Sequence, residues 1–262
     1  MSLVENTRCV VLENPSGRVS HRTIDQVGEF FRPGDLLVVN DAATLPASFM
    51  GTARGLSVEL RLLQPIEKPR RWWAALFGRG DWRTPTENRE LPPVLNPGER
   101  ITIAKGFSAR ILAWSFPSVR MVEIEFEGFD SWHGIFLHGR PIQYSHSLEK
   151  LELWDRQTIF SGPPVALEPP SAAFCLTWSL VENWKANGIR VARLTHATGV
   201  SVTSEEKIDR LLPLPETASI PLETVAEIAT ALSEKRRIIA VGTGVVRALE
   251  GSDLKSPGEK LV

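Results

Sequence analysis

The sequence predicts an α/β domain interrupted by an antiparallel β-barrel-like domain. Leu36–Val39 and Ile238–Val241 are short continuous apolar runs, each followed by a turn, and read as buried strands of a sheet covered on both faces. Between them, residues 56–135 hold many short strands broken by Pro, Gly and Asn, the texture of a small barrel or sandwich. Helical spacing returns after that stretch. The expected division is therefore 1–55 and 136–262 for the discontinuous α/β domain and 56–135 for the inserted β domain.

In chain order, Arg8–Leu12 and Val19–His21 read as two strands joined by the turn Asn14-Pro15-Ser16-Gly17. Thr23-Ile24-Asp25-Gln26 fits a capping box, because the Thr hydroxyl and the Gln amide can each satisfy a free N–H. A helix is expected from there to about Phe31, stopped by Arg32-Pro33-Gly34-Asp35. Leu56, Val58, Leu60 and Leu62 alternate with Ser57, Glu59 and Arg61, a half-buried strand. Trp72–Phe77, Arg100–Ile103, Ala109–Trp114 and Arg120–Phe126 continue the β texture. Helical texture resumes near Leu148, and Thr177 caps a helix over Trp178–Ala186 that ends at Asn187-Gly188. Ile189–Leu194 is a strand, and Pro221 opens a helix to about Lys235 with Val225, Ile228, Ala229 and Leu232 as its apolar stripe. This helix–strand alternation implies a parallel layer. Gly242-Thr243-Gly244 then turns the last strand into a helix over Val245–Glu250, with Gly251 as its C′ residue.

Composition excludes some classes. Thirty basic residues against thirty-one acidic ones leave a net charge of -1, so the chain is not a wholly basic nucleic-acid binder. Its 262 residues, 42% hydrophobic, can bury a core. Cys9 and Cys175 have no metal-type spacing and fit a reducing, cytoplasmic setting. No apolar signal core follows Met1, no run is long enough to span a bilayer, and the five histidines form no metal-ligand cluster.

Several stretches carry candidate chemistry. Strand, glycine turn and helix at 238–250 point backbone N–H groups and a positive helix end at whatever lies above the strand. Thr243 adds a hydroxyl and Arg247 a fixed charge; the same glycines also suit an ordinary strand–helix turn. Asn40-Asp41 ends a buried strand, where α/β sheets bind ligands, and also fits an Asx turn. Pro169-Pro170-Ser171-Ala172-Ala173 permits close backbone approach to a ligand, or is a rigid connector. His196 follows a strand and suits a general acid or base, or packing alone. Arg70-Arg71-Trp72-Trp73, with Arg79, Trp82 and Arg83, mixes cations and aromatics as an RNA-binding surface does. Barrel strands with inward tryptophans and solvated arginines give the same composition.

Together these stretches resemble the S-adenosylmethionine:tRNA ribosyltransferase-isomerases, a family of queuosine biosynthesis. The resemblance rests on Arg32-Pro33-Gly34-Asp35 through Asn40-Asp41 with Leu45-Pro46-Ala47, on Gln157-Thr158, and on Pro170-Ser171-Ala172-Ala173-Phe174 through Thr177. It continues at His196 and is densest over Ala240-Val241-Gly242-Thr243 and Val246–Glu250. The chain is similar to a diverged and shortened member. Ala42-Ala43 stand where the family has Thr-Arg, Ser48 where it has Arg, and Cys175, Leu211 and Leu214 where it has His.

The resemblance implies transfer of the ribosyl part of S-adenosylmethionine to a 7-deazaguanine base in tRNA, followed by isomerisation. S-adenosylmethionine is then a co-substrate, tRNA the partner, and no metal is called for. Asp41, His196 and Glu216 become the candidates for proton transfer. Asn40, Ser171, Gly242, Thr243 and Arg247 become the candidates for holding S-adenosylmethionine, Arg247 through its carboxylate. Two alternatives stand beside this reading: a catalytically degenerate relative that binds a nucleoside-like ligand or RNA, and an enzyme of the same fold with a changed small-molecule substrate.

Overall fold

Described by a computed structural model are residues 7–114, 118–128, 130–144, 149–252 and 258–262. The helical texture expected near Leu148 and the segment at Met1 lie outside the described residues. The chain opens on a hairpin of β1 (Arg8–Glu13) and β2 (Arg18–Thr23). Thr23 and Gln26 form the expected capping box, and the helix that follows, Ile24–Phe30, is wound as a 3₁₀ helix. Next comes β3 (Leu36–Asn40), buried along its whole length.

After β4 (Ala43–Thr44), six strands build the barrel: β5 (Ser48–Ala53), β6 (Leu56–Glu67), β7 (Arg71–Phe77), β8 (Arg100–Ala104), β9 (Phe107–Trp114) and β10 (Met121–Gly128). They close in the order β10-β7-β6-β5-β8-β9, and every neighbouring pair is antiparallel. Alternate residues point inward, so Leu60 and Leu62 of β6, Trp72, Ala74 and Leu76 of β7, and Val122, Ile124 and Phe126 of β10 fill one core. Each fully buried large side chain contributes roughly 1.5–3 kcal/mol. Leu167, Val200 and Ile208, from beyond the barrel, join this core and anchor the two parts of the chain to each other.

The remaining elements are α1 (Ser131–His138), β11 (Pro164–Ala166), α2 (Trp178–Ala186), β12 (Arg190–His196), α3 (Glu206–Asp209), β13 (Thr217–Ile220), α4 (Leu222–Ser233), β14 (Ile238–Ala240), α5 (Thr243–Gly251) and β15 (Gly258–Leu261). The Thr177 hydroxyl caps α2 by accepting from Leu180 N at 3.2 Å. Pro221 is the N-cap of α4, one residue before the helix proper. Gly251 is the last residue of α5 rather than the residue beyond it.

A five-stranded sheet runs β14-β3-β12-β13-β15. β14 and β12 pair parallel with β3, which joins the two apolar runs picked out in the sequence into one sheet. The layer is not wholly parallel, because β13 and β15 add to it antiparallel. β3 divides two cores by its alternation. Leu36 and Val38 pack with α4 and α5 residues Ile228, Ala231, Val245 and Ala248; Leu37 and Val39 pack with α2 residues Val181 and Trp184. The Arg32–Asp35 turn is pinned to the far end of the chain, since Arg237 Nε donates to Asp35 Oδ1 at 3.2 Å and Arg237 Nη2 to Asp35 Oδ2. Among the described residues no helix is long and apolar enough to cross a membrane.

Candidate ligand cleft at the sheet edge

The three parallel strands end on the same side, and a cavity of about 370 Å³ opens there, a volume suited to a small ligand. Asn40, Ser171, His196, Glu216, Gly242, Thr243 and Arg247 all line it. The cause is local. Gly242 has φ +94°, a left-handed conformation that lets β14 turn straight into α5. A Cβ on Gly242 would stand 3.0 Å from Ala172 Cβ, so the 171–173 segment and the glycine turn close one wall together. Gly242 is also the N-cap of α5 and brings no capping side chain, leaving the first N–H groups of a nine-residue helix facing the cavity. Ser171 sits on a single 3₁₀ turn, Ser171–Ala173, ahead of α2.

His196 ends β12 and is 1% exposed. Its Nε2 lies 3.0 Å from Glu216 Oε2, at ion-pair distance but outside hydrogen-bond geometry. Its Nδ1 is 3.4 Å from Thr198 Oγ1. A Cβ on Gly244 would fall 2.9 Å from Nδ1, so the bare backbone there leaves space beside that nitrogen on the cavity side of the ring. Glu216 also accepts from Gly199 N at 2.6 Å and pairs with Arg247 Nη1 at 2.7 Å. Burial pushes the Glu216 carboxyl up, but His196, the Gly199 N–H and Arg247 outweigh it and hold the group below its ordinary value. Glu216 is therefore a buried carboxylate, ionised at neutral pH and bridging an imidazole and a guanidinium.

Three expectations change in this setting. Arg247, read from the sequence as a carboxylate holder, already spends Nη1 on Glu216 and Nη2 on the Val262 carbonyl at 2.8 Å. Asn40 lines the cavity, yet its side chain is engaged: Oδ1 accepts from His196 N at 2.9 Å and Ala42 N at 3.0 Å, and Nδ2 donates to His196 O at 3.0 Å. Asp41 does not line the cavity. Its Oδ1 accepts from Thr195 Oγ1 at 2.6 Å, because consecutive residues of a strand point to opposite faces.

Ser201 lines the cavity and is held by residues just outside it. Glu168 Oε1 accepts from Ser201 N at 2.9 Å and Ser201 Oγ at 3.0 Å, and the Tyr144 hydroxyl also donates to it. Burial, then the Glu168 charge, pushes the Tyr144 phenol up, so it remains a donor. Gln157 holds β4 in place through Thr44, accepting from its N at 2.9 Å and donating to its O at 3.0 Å.

The four barrel arginines do not gather into one bare patch. Arg70 Nε pairs with Glu125 Oε1 at 2.9 Å, and Arg71 pairs with Glu123, in a cross-strand ladder that Arg100, Arg110 and Glu127 extend. Trp72 is buried in the barrel core. Arg79 and Arg83 are exposed beyond β7, with the Arg83 guanidinium 4.7 Å from the Trp82 ring centre.

These features define an α/β protein with a helix-end cradle facing a buried His–Glu pair, set against a closed antiparallel barrel. Over residues 3–260 the sequence matches the family model described as queuosine biosynthesis protein, and the chain belongs to that family. A relative from Heliobacterium modesticaldum named S-adenosylmethionine:tRNA ribosyltransferase-isomerase is 30% identical over 252 residues, 93% of this chain and 69% of the relative. One of the same name from Trichlorobacter lovleyi is 26% identical, over 94% of this chain and 70% of the relative. The crystal structure of an S-adenosylmethionine tRNA ribosyltransferase from Thermotoga maritima is similar with a TM-score of 0.42 and 22% identity, covering 100% of this chain and 71% of that one.

Proposed function

We propose that this chain transfers the ribosyl group of S-adenosylmethionine to a 7-deazaguanine base in tRNA and isomerises it, a step of queuosine biosynthesis. The observation that carries the reading is the meeting, in one cavity, of the α5 helix end and the buried His196–Glu216 pair in a chain of this family. The carbon beside a sulfonium is acidified by the positive sulfur and needs a base. His196, which lines the cavity with space beside its Nδ1, takes that role, and Glu216 stabilises the imidazolium that results. Gly242 and Thr243 hold the co-substrate, with Ser171 beside them on the same wall.

In this reading the α/β part holds S-adenosylmethionine, and the inserted barrel, which begins at β5 (Ser48–Ala53) and not at residue 56, meets tRNA through its exposed arginines. A cytoplasmic location goes with it. A second reading, binding of a nucleoside-like ligand without turnover, is favoured by one observation: Arg247 is already neutralised by Glu216. Incubation with S-adenosylmethionine and tRNA carrying the 7-aminomethyl-7-deazaguanine base separates them. Release of adenine and methionine is expected; calorimetric binding without release would leave the second reading.

A further inference from the structure

The ladder between β3 and β12 stops at Leu194↔Asn40. Asp41 N still reaches Leu194 O at 2.9 Å, and the β3 chain then bends away into Ala42. His196 lies two residues past that point, and no β3 backbone group pairs with it. The Asn40 side chain supplies the missing rung. Its amide accepts from His196 N and donates to His196 O, as an opposing residue of an antiparallel pair would, while Oδ1 also takes the Ala42 N–H that fixes the bend. Both Oδ1 lone pairs are used, and the residue is 2% exposed. The backbone it grips carries the imidazole whose Nε2 meets Glu216 and whose Nδ1 faces Gly244.

We propose that Asn40 is a positioning residue: it sets the His196 ring between Glu216 and the cavity by extending the strand pairing one residue past the backbone ladder. This rests on the assignment of His196 as the base. Ala at position 40 offers neither group, and Ser or Thr has a single oxygen where the amide presents a separate donor and acceptor atom; Asp keeps the shape and the acceptor but loses the donor when ionised. The charged groups facing His196 are Glu216 and Arg247, with the Thr198 hydroxyl at Nδ1.

The test compares Asn40→Ala and Asn40→Asp with the wild type. The His196 ring signals, assigned with a His196→Gln variant, are followed by NMR in the ligand-free protein. S-adenosylmethionine affinity and turnover follow. In Asn40→Ala the ring signals are expected to shift and broaden and turnover to fall about a hundredfold, while affinity stays within about threefold. Asn40→Asp is expected to match the alanine variant at neutral pH. It should approach the wild type, compared at each pH, once its carboxyl is protonated and can donate. Unmoved ring signals, a lower melting temperature alone, or loss of affinity with turnover of the bound complex preserved would each overturn the proposal. If Asn40→Ala does not fold, the isosteric Asp variant decides. If the wild type releases no adenine, the function reading fails, and the ring signals still decide the role of Asn40.

Discussion

His196 Nε2 stands 3.0 Å from Glu216 Oε2, although the two residues lie on different strands or their connections and neither is more than 7% exposed. The pair gives the cleft its chemistry. A neutral amide at 216 keeps an acceptor for the Gly199 N–H but removes the charge that steadies an imidazolium and pairs Arg247. Glu216→Gln is therefore expected to lower turnover at saturating S-adenosylmethionine by about a hundredfold or more. Adenine release in a single turnover measures it, and an unchanged rate would remove Glu216 from the proton-transfer machinery.

Gly244 leaves room beside the His196 ring. A Cβ there comes within 2.9 Å of His196 Nδ1, yet alanine favours a helix over glycine by about 1 kcal/mol. Displacing that buried ring costs about 1–3 kcal/mol, so Gly244→Ala is expected to lower the melting temperature modestly while lowering turnover about a hundredfold. Full activity in a folded Gly244→Ala protein would mean that Nδ1 is not the reacting nitrogen.

The barrel ladder splits the four arginines into two kinds. Arg70 and Arg71 pair closely with Glu125 and Glu123, whereas Arg79 and Arg83 stand exposed beyond β7, Arg83 with a looser approach to Asp81 at 3.7 Å. Reversing Arg79 and Arg83 together is expected to weaken tRNA binding and flatten its salt slope by about 1.5. Reversing Arg70 and Arg71 should do less. Filter binding across a salt series reads both, and equal effects would show that the ladder opens when RNA binds.

Asp35 ties the N-terminal turn to the last parallel strand. Burial pushes its carboxyl up, but the Arg237 guanidinium and the Arg32 N–H, whose bond is 2.7 Å, hold it below its ordinary value. A carboxyl lowered by folding stabilises the protein above its unfolded value and loses that contribution as the pH falls through its folded value. Asp35→Asn is expected to cost about 1.5–3 kcal/mol at neutral pH, with the gap to wild type closing as the pH falls below the ordinary carboxylate range and through the lowered folded value. Urea denaturation at several pH values checks both parts.

Much of the architecture is legible in the chain because its causes are local. The Thr23–Gln26 box, the Thr177 cap and Pro221 at the start of α4 act within one helical turn, and each stands where the residues put it. β5 is different. Ser48-Phe49-Met50-Gly51-Thr52-Ala53 carries no clean alternation, and it becomes a strand by pairing with β6 and β8. β13 and β15 likewise owe their antiparallel direction to the sheet edge they join.

The sequence alone determined the glycine turn, the buried strands on either side of the insert, and most of the residues that line the cleft. Only the tertiary structure decided how those residues are used. Asn40 and Asp41 are neighbours in the chain, but one grips His196 and the other turns to Thr195 on the opposite face of the sheet. Arg247 and Glu216, thirty-one positions apart in sequence, neutralise each other at 2.7 Å. The reason is physical: periodicity encodes which face a side chain takes, whereas its partner is fixed by strand order and register, and those depend on contacts between residues far apart in the chain.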